Sequence, residues 1–373
     1  MIKPTLNNKI LKLITEIDEN RFAVSTVRMP VSISDRLRKN SKKRSAYSSN
    51  RIEGNPLSQE QVDEIIDHDE RKHLLKPEQE IRNYYLALNH LEKMASNGET
   101  FSKKLILDVQ RFVEKGASKE KIGLRGPMPP GVLFAVYDSQ TGTPEYIPPE
   151  YSDIPALLDE LVDYVNTTDD HPLIVAAVVH YQIVTIHPFE DGNGRTARLL
   201  SGYILNINGY GFNGIGSLEE YFAYDVNEYY ESIQMGLPAL FYSGRENPPH
   251  PEIWIEYFLR MVLLYSGKVR EISEGSREKT VSDSLSHLKW REKEFMLFLM
   301  DNYKCEFTPI EVSRRLGISS RMAINRLAVL VRNGLLTPHL VKERIMSYEL
   351  SDFAQENEEV IREYIERTLV SKD

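Results

Sequence analysis

The chain has 373 residues, which at roughly 100–200 residues per domain suggests two or three domains. Its single cysteine, Cys305, excludes an internal disulfide framework, a thiolate zinc site and a CxxC redox motif, and fits a reducing cytosol. A net charge of −9, from 46 Lys and Arg against 55 Asp and Glu, excludes a coat of nucleic acid along the whole chain but leaves room for a local basic patch.

In chain order, Met1 to Asn20 lacks the continuous apolar stretch of a signal peptide. Ile10, Leu11, Leu13, Ile14 and Ile17 instead fall at helical spacing. A helix rich in Ser, Asn and basic residues is expected over 36–50, stopping at Gly54 with Pro56 just beyond. Ser58 followed by Gln61 is a capping-box pattern that opens another helix. Helical texture continues through 78–94 and 103–114. Between Gly123 and Pro149 the composition shifts to Gly and Pro, and two strand-like runs, Val132 to Tyr137 and Glu145 to Ile147, flank Asp138 to Gly142. This reads as a short β-hairpin.

A helix over 154–165 follows, then Leu173 to Ile186, apolar on nearly every face and therefore expected inside a helical core. The longest apolar run, Leu173 to Val179, is seven residues. A bilayer span takes roughly 20, so a soluble, cytoplasmic protein with no membrane partner is expected. Helices are expected at 195–207, 219–235 and 251–272, and the charged, serine-rich stretch 273–286 reads as a linker.

The last region has its own pattern. A helix over 292–302 precedes a second at 308–316, with Thr308 as cap and Pro309 at its first position. Gly317 to Ser319 turns into a third helix, 320–333, ended by Gly334. Two strands around Lys342 and Glu343 complete a helix-turn-helix with a wing. Thr308 to Leu350 carries a net +4, seven Arg and Lys against three Glu. An acidic helix is expected after Ser351. The fold class is thus mainly α. The expected domains are an N-terminal helical region (1–100), a core (101–272), a linker (273–286), a winged-helix domain (287–351) and a C-terminal helix (352–373).

Chemistry concentrates in His187-Pro-Phe-Glu-Asp-Gly-Asn-Gly-Arg-Thr-Ala-Arg198. Gly192 and Gly194 let a ligand approach the backbone closely. The helix beginning there points free N–H groups and its positive dipole end at whatever sits above, which suits phosphate. Asn193 adds a neutral donor. Arg195 and Arg198, three apart, can fork two phosphate groups. Asp191 is a hard oxygen ligand suited to Mg²⁺ bridging phosphates. His187, at the end of the buried helix, can accept a hydroxyl proton near neutral pH. Phe189 is expected to anchor the loop. Any one of these features alone is an ordinary turn, helix end or solvated face; their combination within twelve residues points to function.

His187 to Arg198 resembles the signature of Fic domain proteins, His-x-Phe-x-(Asp/Glu)-Gly-Asn-Gly-Arg-x-x-Arg, with every fixed position filled. The resemblance covers about two-thirds of the chain. It implies a helical bundle with a β-hairpin flap, and transfer of AMP from ATP to a Ser, Thr or Tyr hydroxyl of a protein. It also implies roles: His187 as general base, Asp191 as the Mg²⁺ ligand, Gly192, Asn193 and Gly194 around the α- and β-phosphates, and Arg195 and Arg198 on the β- and γ-phosphates. The flap, Val132 to Ile147, would align the target protein as an added strand. Ser49-Asn-Arg-Ile-Glu53-Gly54 resembles the family's inhibitory motif, in which Glu53 would pair with Arg198 and displace the γ-phosphate; Ser49 and Glu53, one turn apart, share a helix face. Asn227, Tyr229 and Tyr230 sit where family members place residues around the adenine.

Two further readings stand open. One is a DNA-binding transcription regulator with a ligand-sensing Fic part, carried by Arg321, Arg326 and Arg344; winged helices also serve as protein-docking or homodimer modules. The other is a different transfer, or AMP removal, on the same fold. Gly209-Tyr-Gly-Phe-Asn-Gly214 matches GxGxxG but follows a helix rather than a strand, so it fails the context of a dinucleotide site and is expected to be a helix-linking loop.

Overall fold

The computed structural model describes residues 1–3, 6–27, 31–68, 73–117, 122–137, 142–238, 240–303, 305–341 and 344–370. The chain divides into two compact units. The first takes Met1–Thr26 and continues to Glu271; the second is built on Ile272–Asp373. The N-terminal helical region and the core, expected as separate domains, form one unit.

Five helices open the first unit: α1 (Asn8–Ser25), α2 (Val31–Ile52), α3 (Gln59–Asp67), α4 (Lys76–Ser96) and α5 (Lys103–Glu114). The capping box at α3 forms as its spacing requires, with Gln61 Oε1 accepting from the Ser58 N–H at 2.9 Å. Next come β1 (Val136–Tyr137), β2 (Pro144–Ile147), α6 (Ile154–Thr167), α7 (Pro172–Ile186) and α8 (Asn193–Ile207). Apolar on all sides, α7 is the centre of the unit: of Leu173 to Ile186 only Val184 is not fully buried. It packs most extensively on α8.

The helix expected over 219–235 is two helices, α9 (Glu219–Tyr224) and α10 (Val226–Gln234). Asp225 breaks it by leaving helical geometry and accepting the Glu228 N–H on its side chain (3.0 Å), a cap in place of a turn. The unit's sheet has three strands rather than two. β2 pairs antiparallel with β1 and parallel with β3 (Leu240–Phe241). The first strand-like run is shorter than its sequence suggests: Pro129, Pro130 and Gly131 set a turn whose Pro129 carbonyl accepts the Val132 N–H, and pairing begins at Val136. The tip of the hairpin at 138–141 lies outside the described residues.

A one-turn helix, α11 (Tyr242–Arg245), precedes α12 (Glu252–Ser286). The stretch 273–286 is therefore helix and not an irregular linker. It has no proline and one glycine, and Val281 and Leu285, four apart, bury one face in the second unit's core.

That second unit continues with α13 (Trp290–Asn302), α14 (Pro309–Leu316), α15 (Ser320–Arg332), the antiparallel pair β4 (Leu336–Val341) and β5 (Arg344–Leu350), α16 (Asp352–Glu356) and α17 (Glu358–Val370). Thr308 caps α14 through a full capping box with Glu311, and Gly317 and Gly334 take left-handed conformations at the two turns. The turn at Lys342 and Glu343 lies outside the described residues. The acidic tail is two helices rather than one: Asn357 ends α16, donating its side chain back to the Phe353 carbonyl. Among the described residues no helix is long and apolar enough to cross a membrane.

Candidate active site

The site is the junction of α7 and α8. His187 caps α7 in the left-handed region (φ 48°), turning the chain out of the buried helix. Phe189, with no exposed surface, anchors the loop that follows. Asn193 closes it: its Oδ1 accepts the Phe189 N–H (3.0 Å) and its Nδ2 donates to the Phe189 carbonyl (2.9 Å). The Asn193 side chain thus braces the loop with its amide oxygen and one N–H; its backbone N–H stays in the first turn of α8. There Asn193, Gly194 and Arg195 have no intrahelical acceptor, so their N–H groups form an anion cradle. Gly192 takes φ 80°, and a Cβ on it would lie 2.7 Å from Glu114 Oε1.

Sequence reasoning missed the residue that holds this loop from outside. Arg125 donates through Nε to the His187 carbonyl (2.8 Å), through Nη2 to the Pro149 carbonyl, and through its backbone N–H to the Pro188 carbonyl (2.9 Å). Its guanidinium also lies 4.7 Å over the Phe134 ring. One side chain therefore joins the loop to the base of the hairpin, and Phe134 itself sits 5.8 Å from the His187 ring.

His187 Nδ1 faces the Val184 carbonyl at 3.3 Å. If that nitrogen carries the proton, Nε2 is left with a lone pair, the tautomer a base needs. Burial holds the imidazole down to about 4, so the ring is neutral at pH 7.

The two arginines of the motif are both buried and both paired with carboxylates. Arg195 Nη2 donates to Glu114 Oε1 at 2.9 Å, reaches Asp191 Oδ1 at 3.3 Å, and its Nη1 lies 3.7 Å from Glu80. Glu114 has no exposed surface, and burial pushes its carboxyl up to about 7 against the opposing pull of Arg195. Asp191 stays partly exposed, with its Oδ1 also accepting the Gly192 N–H at 2.8 Å.

Arg198 points the other way, to α2. Its Nη2 donates to Glu53 Oε1 (2.6 Å) and to the Ser49 carbonyl (3.0 Å), its Nε to Ser49 Oγ (2.7 Å), and its Nη1 to Tyr229 Oη (3.3 Å). Burial alone would lower the Arg198 pKa; the Glu53 carboxylate, with Tyr229 and Tyr84 beside it, more than offsets this and holds the guanidinium above its ordinary value. A Cβ on Gly194 would overlap the Glu53 carboxylate. Glu53 therefore lies on the first turn of α8, within the anion cradle itself.

The spacing behind that placement is a ladder on α2. Ser41, Ser45, Ser49 and Glu53 recur every four residues, so they share one face. The Ser41 hydroxyl donates to the Ile215 carbonyl, Ser45 Oγ to Glu219 Oε2 (2.7 Å), and Ser49 and Glu53 take Arg198. Glu219 is a buried carboxylate held by hydroxyls, with Tyr84 Oη at 2.9 Å and Ser217 Oγ at 3.2 Å. Sequence reasoning found Ser49 and Glu53 but not the rungs below them; their four-residue repeat was the available signal. Of the three residues expected near the adenine, Tyr229 is buried and bonded to Arg198 and to His180 Nε2 (3.1 Å), Tyr230 is partly exposed with its hydroxyl 3.5 Å from the Ile52 carbonyl, and Asn227 is exposed.

Residues 100–205, which include the whole junction, match the model of the Fic/DOC family. The chain carries a Fic domain. Curated relatives named protein adenylyltransferase Fic are 30% identical over 207 residues in Aedes aegypti and 28% identical over 204 residues in Drosophila mojavensis. Each match covers 53% of this chain but 39% and 38% of the relative, so the chain spans about two fifths of their length. Among solved structures, a Fic family protein from Desulfovibrio desulfuricans G20 shares the fold across 94% of this chain and 98% of its own, at 20% identity and a TM-score of 0.59. Residues 134–508 of Fic-1 from C. elegans do so across 72% and 73%, at 23% identity and a TM-score of 0.55. The helical Fic fold expected from the motif is the fold observed.

Proposed function

We propose that this protein is a nucleotidyltransferase, a protein adenylyltransferase that moves AMP from ATP to a hydroxyl of a target protein, and that α2 holds it off. The observation that carries the reading is the Glu53 carboxylate lying over Gly194 and bonded to Arg198. An acid of this chain occupies the place built for an anion. The relatives' shared name supports the choice of AMP as the group transferred.

In this reading the acceptor oxygen attacks the α-phosphorus of ATP, the bond to the β-phosphate oxygen breaks, and pyrophosphate leaves. His187 Nε2 takes the hydroxyl proton. The α8 N–H groups and Arg195 hold the phosphates, and Arg198 awaits the γ-phosphate once Glu53 moves. Asp191 fits a magnesium ion that arrives with the nucleotide: it is a partly exposed hard-oxygen ligand beside the cradle, and Mg²⁺ commonly takes one or two carboxylates plus phosphate and water. Among the described residues there is no group of three or more His, Cys, Asp or Glu suited to hold a metal unaided. The bound ion would neutralise phosphate charge. The exposed β1 edge of the hairpin would take a target segment as an added strand.

We read the second unit as a winged helix, from the order α13, α14, tight turn, α15, β4, β5. Its α15 exposes Met322 and Ile324 beside Arg321, while Arg326 lies 5.6 Å over the Phe295 ring and the Arg344 side chain is outside the described residues. That mixed face favours a protein partner over DNA.

The test uses ATP labelled at the α- or the γ-phosphate, Mg²⁺ and cell lysate, with the Glu53→Gly protein. Protein labelling from the α-label and none from the γ-label is expected. Label from the γ-position would mean phosphate transfer and overturn the assignment.

A further inference from the structure

Between α2, α4 and α8 lies a cavity of about 570 Å³. It is within the range of small-molecule sites, roughly 300–1,000 Å³. Its walls come from three places. α2 contributes Arg38, Ser41, Lys42 and Ser45; α4 and α8 contribute an apolar floor that includes Leu88, Leu91 and Tyr203; the third wall is the Gly209 to Gly214 loop. That loop has no part in the transfer chemistry. Its residues Phe212, Asn213 and Gly214 are consecutively left-handed (φ 44°, 56° and 69°), a conformation rare for side chains other than glycine.

The rim is charged. Arg38 Nε donates to the Asn213 carbonyl at 2.7 Å, and its Nη1 is a long 4.0 Å from Asp35. Lys42 bonds Asn89 at 2.8 Å and pairs with Glu92. A cation that is weakly paired at the mouth of an apolar floor selects for an acidic head on an apolar body.

Depth connects the cavity to the site. Arg198, Glu219 and Ser45 line it too, and these are the groups that hold the ladder of α2. A molecule seated there touches α2 on one side and α4 and α8 on the other. Such a molecule binds best when α2 is docked, and by linkage it stabilises the docked state. We propose that this cavity is an effector site for an organic anion with an apolar body, and that its occupant fastens α2 over the cradle. The link to activity rests on the inhibitory reading of Glu53; the existence of the site does not.

Gly202 supplies a clean disruption. It lies on α8 in the cavity wall, and a Cβ there meets nothing within 4 Å. The Cβ of Gly202→Phe has room, its ring is directed to the cavity, and the change removes a glycine from a helix interior, so the melting temperature should hold or rise. The probe is anilinonaphthalene sulfonate, followed by fluorescence, with uncharged N-phenylnaphthylamine as its control. Saturable binding of the sulfonate is expected in the wild type and none in Gly202→Phe. Arg38→Ala should weaken the sulfonate about tenfold and leave the uncharged compound unchanged. Hydrogen exchange at residues 41–53 should slow when the sulfonate saturates the wild type. Sulfonate binding that survives Gly202→Phe, or exchange in α2 that ignores a filled site, overturns the proposal. None of these readouts needs turnover, so failure here is distinct from failure of the transfer reading.

Discussion

Arg195 and Arg198 stand one turn apart on α8, both buried, and each bonded to a carboxylate from another helix, yet they are held in different ways. Arg195 is set against Glu114, which has no exposed surface, with Asp191 and Glu80 around it. Its Nε and Nη1 make no hydrogen bond. Arg198 has all three nitrogens bonded, and its carboxylate partner, Glu53, is a third exposed at the very end of α2. One ion pair is part of the core. The other can be undone by moving a single helix end. What anchors that helix reinforces the contrast: α2 buries Ser41, Ser45, Ser48, Ser49 and Asn50 rather than a run of large apolar side chains. Serines that leave a protein surface are rehydrated at small cost, whereas leucines are not.

The largest effect lies outside either arginine and sets the baseline. His187→Ala should lower transfer by about 10²–10⁴-fold while nucleotide binding, followed by calorimetry, persists, because the proposed mechanism sets His187 on the acceptor and the arginines on the phosphates. Loss of binding with loss of transfer would show that His187 builds the nucleotide pocket instead.

The next test strikes the comparison itself. Glu114→Ala leaves Arg195 charged and buried without its main partner and should cost about 3–5 kcal/mol in a urea melt. Glu53→Ala should cost about 1 kcal/mol or less, since Glu53 is partly solvated and Ser49 and Tyr229 still accept from Arg198. Equal losses would erase the distinction between a structural pair and a releasable one.

Weakening the ladder should release α2 by degrees. Ser45→Ala removes one donor to Glu219, a loss worth about 1 kcal/mol of docking, and should raise transfer severalfold without changing the nucleotide Kd by more than a factor of two or so. A rise confined to nucleotide affinity would argue against a displaced helix.

The smallest effect is on pH. The base form of His187 is neutral, and it is lost as pH falls through the folded pKa, held near 4 by burial. The transfer rate should therefore stay flat from about pH 6 to 8, where an unshifted histidine would show a step near 6.5. A step near 6.5 would mean that the ring is solvated during turnover.

How much of this was legible in the sequence depended on distance along the chain. The cradle was, because His187, Asp191, the glycines and the arginines share twelve residues and one helix start. The Glu53 contact was reached through the inhibitory-motif resemblance, since spacing alone ties Ser49 to Glu53 but neither to Arg198. Arg125 was not legible: its bond to the His187 carbonyl spans 62 positions, and it reads in sequence as a lone arginine in a Gly- and Pro-rich stretch. Glu219 was not either, with Ser45 174 positions away. The bonds from Asn193 to Phe189 were not legible either, because a motif shows a polar side chain but not its partners within the loop. The stretch 273–286 was misread because its charged, serine-rich composition hides the buried apolar pair Val281 and Leu285, at helical spacing.

Glu53 is proposed to occupy the place of a phosphate. The direct measurement is the rate of AMP transfer at saturating ATP for wild type, Glu53→Gly, and Glu53→Gly combined with Arg198→Ala. If Glu53 keeps the nucleotide about 1 Å out of line, its removal should raise the rate on the order of 10²-fold, and loss of Arg198 in the same chain should abolish the gain. Equal rates for wild type and Glu53→Gly would contradict it, and leave Glu53 as a residue that merely finishes its helix.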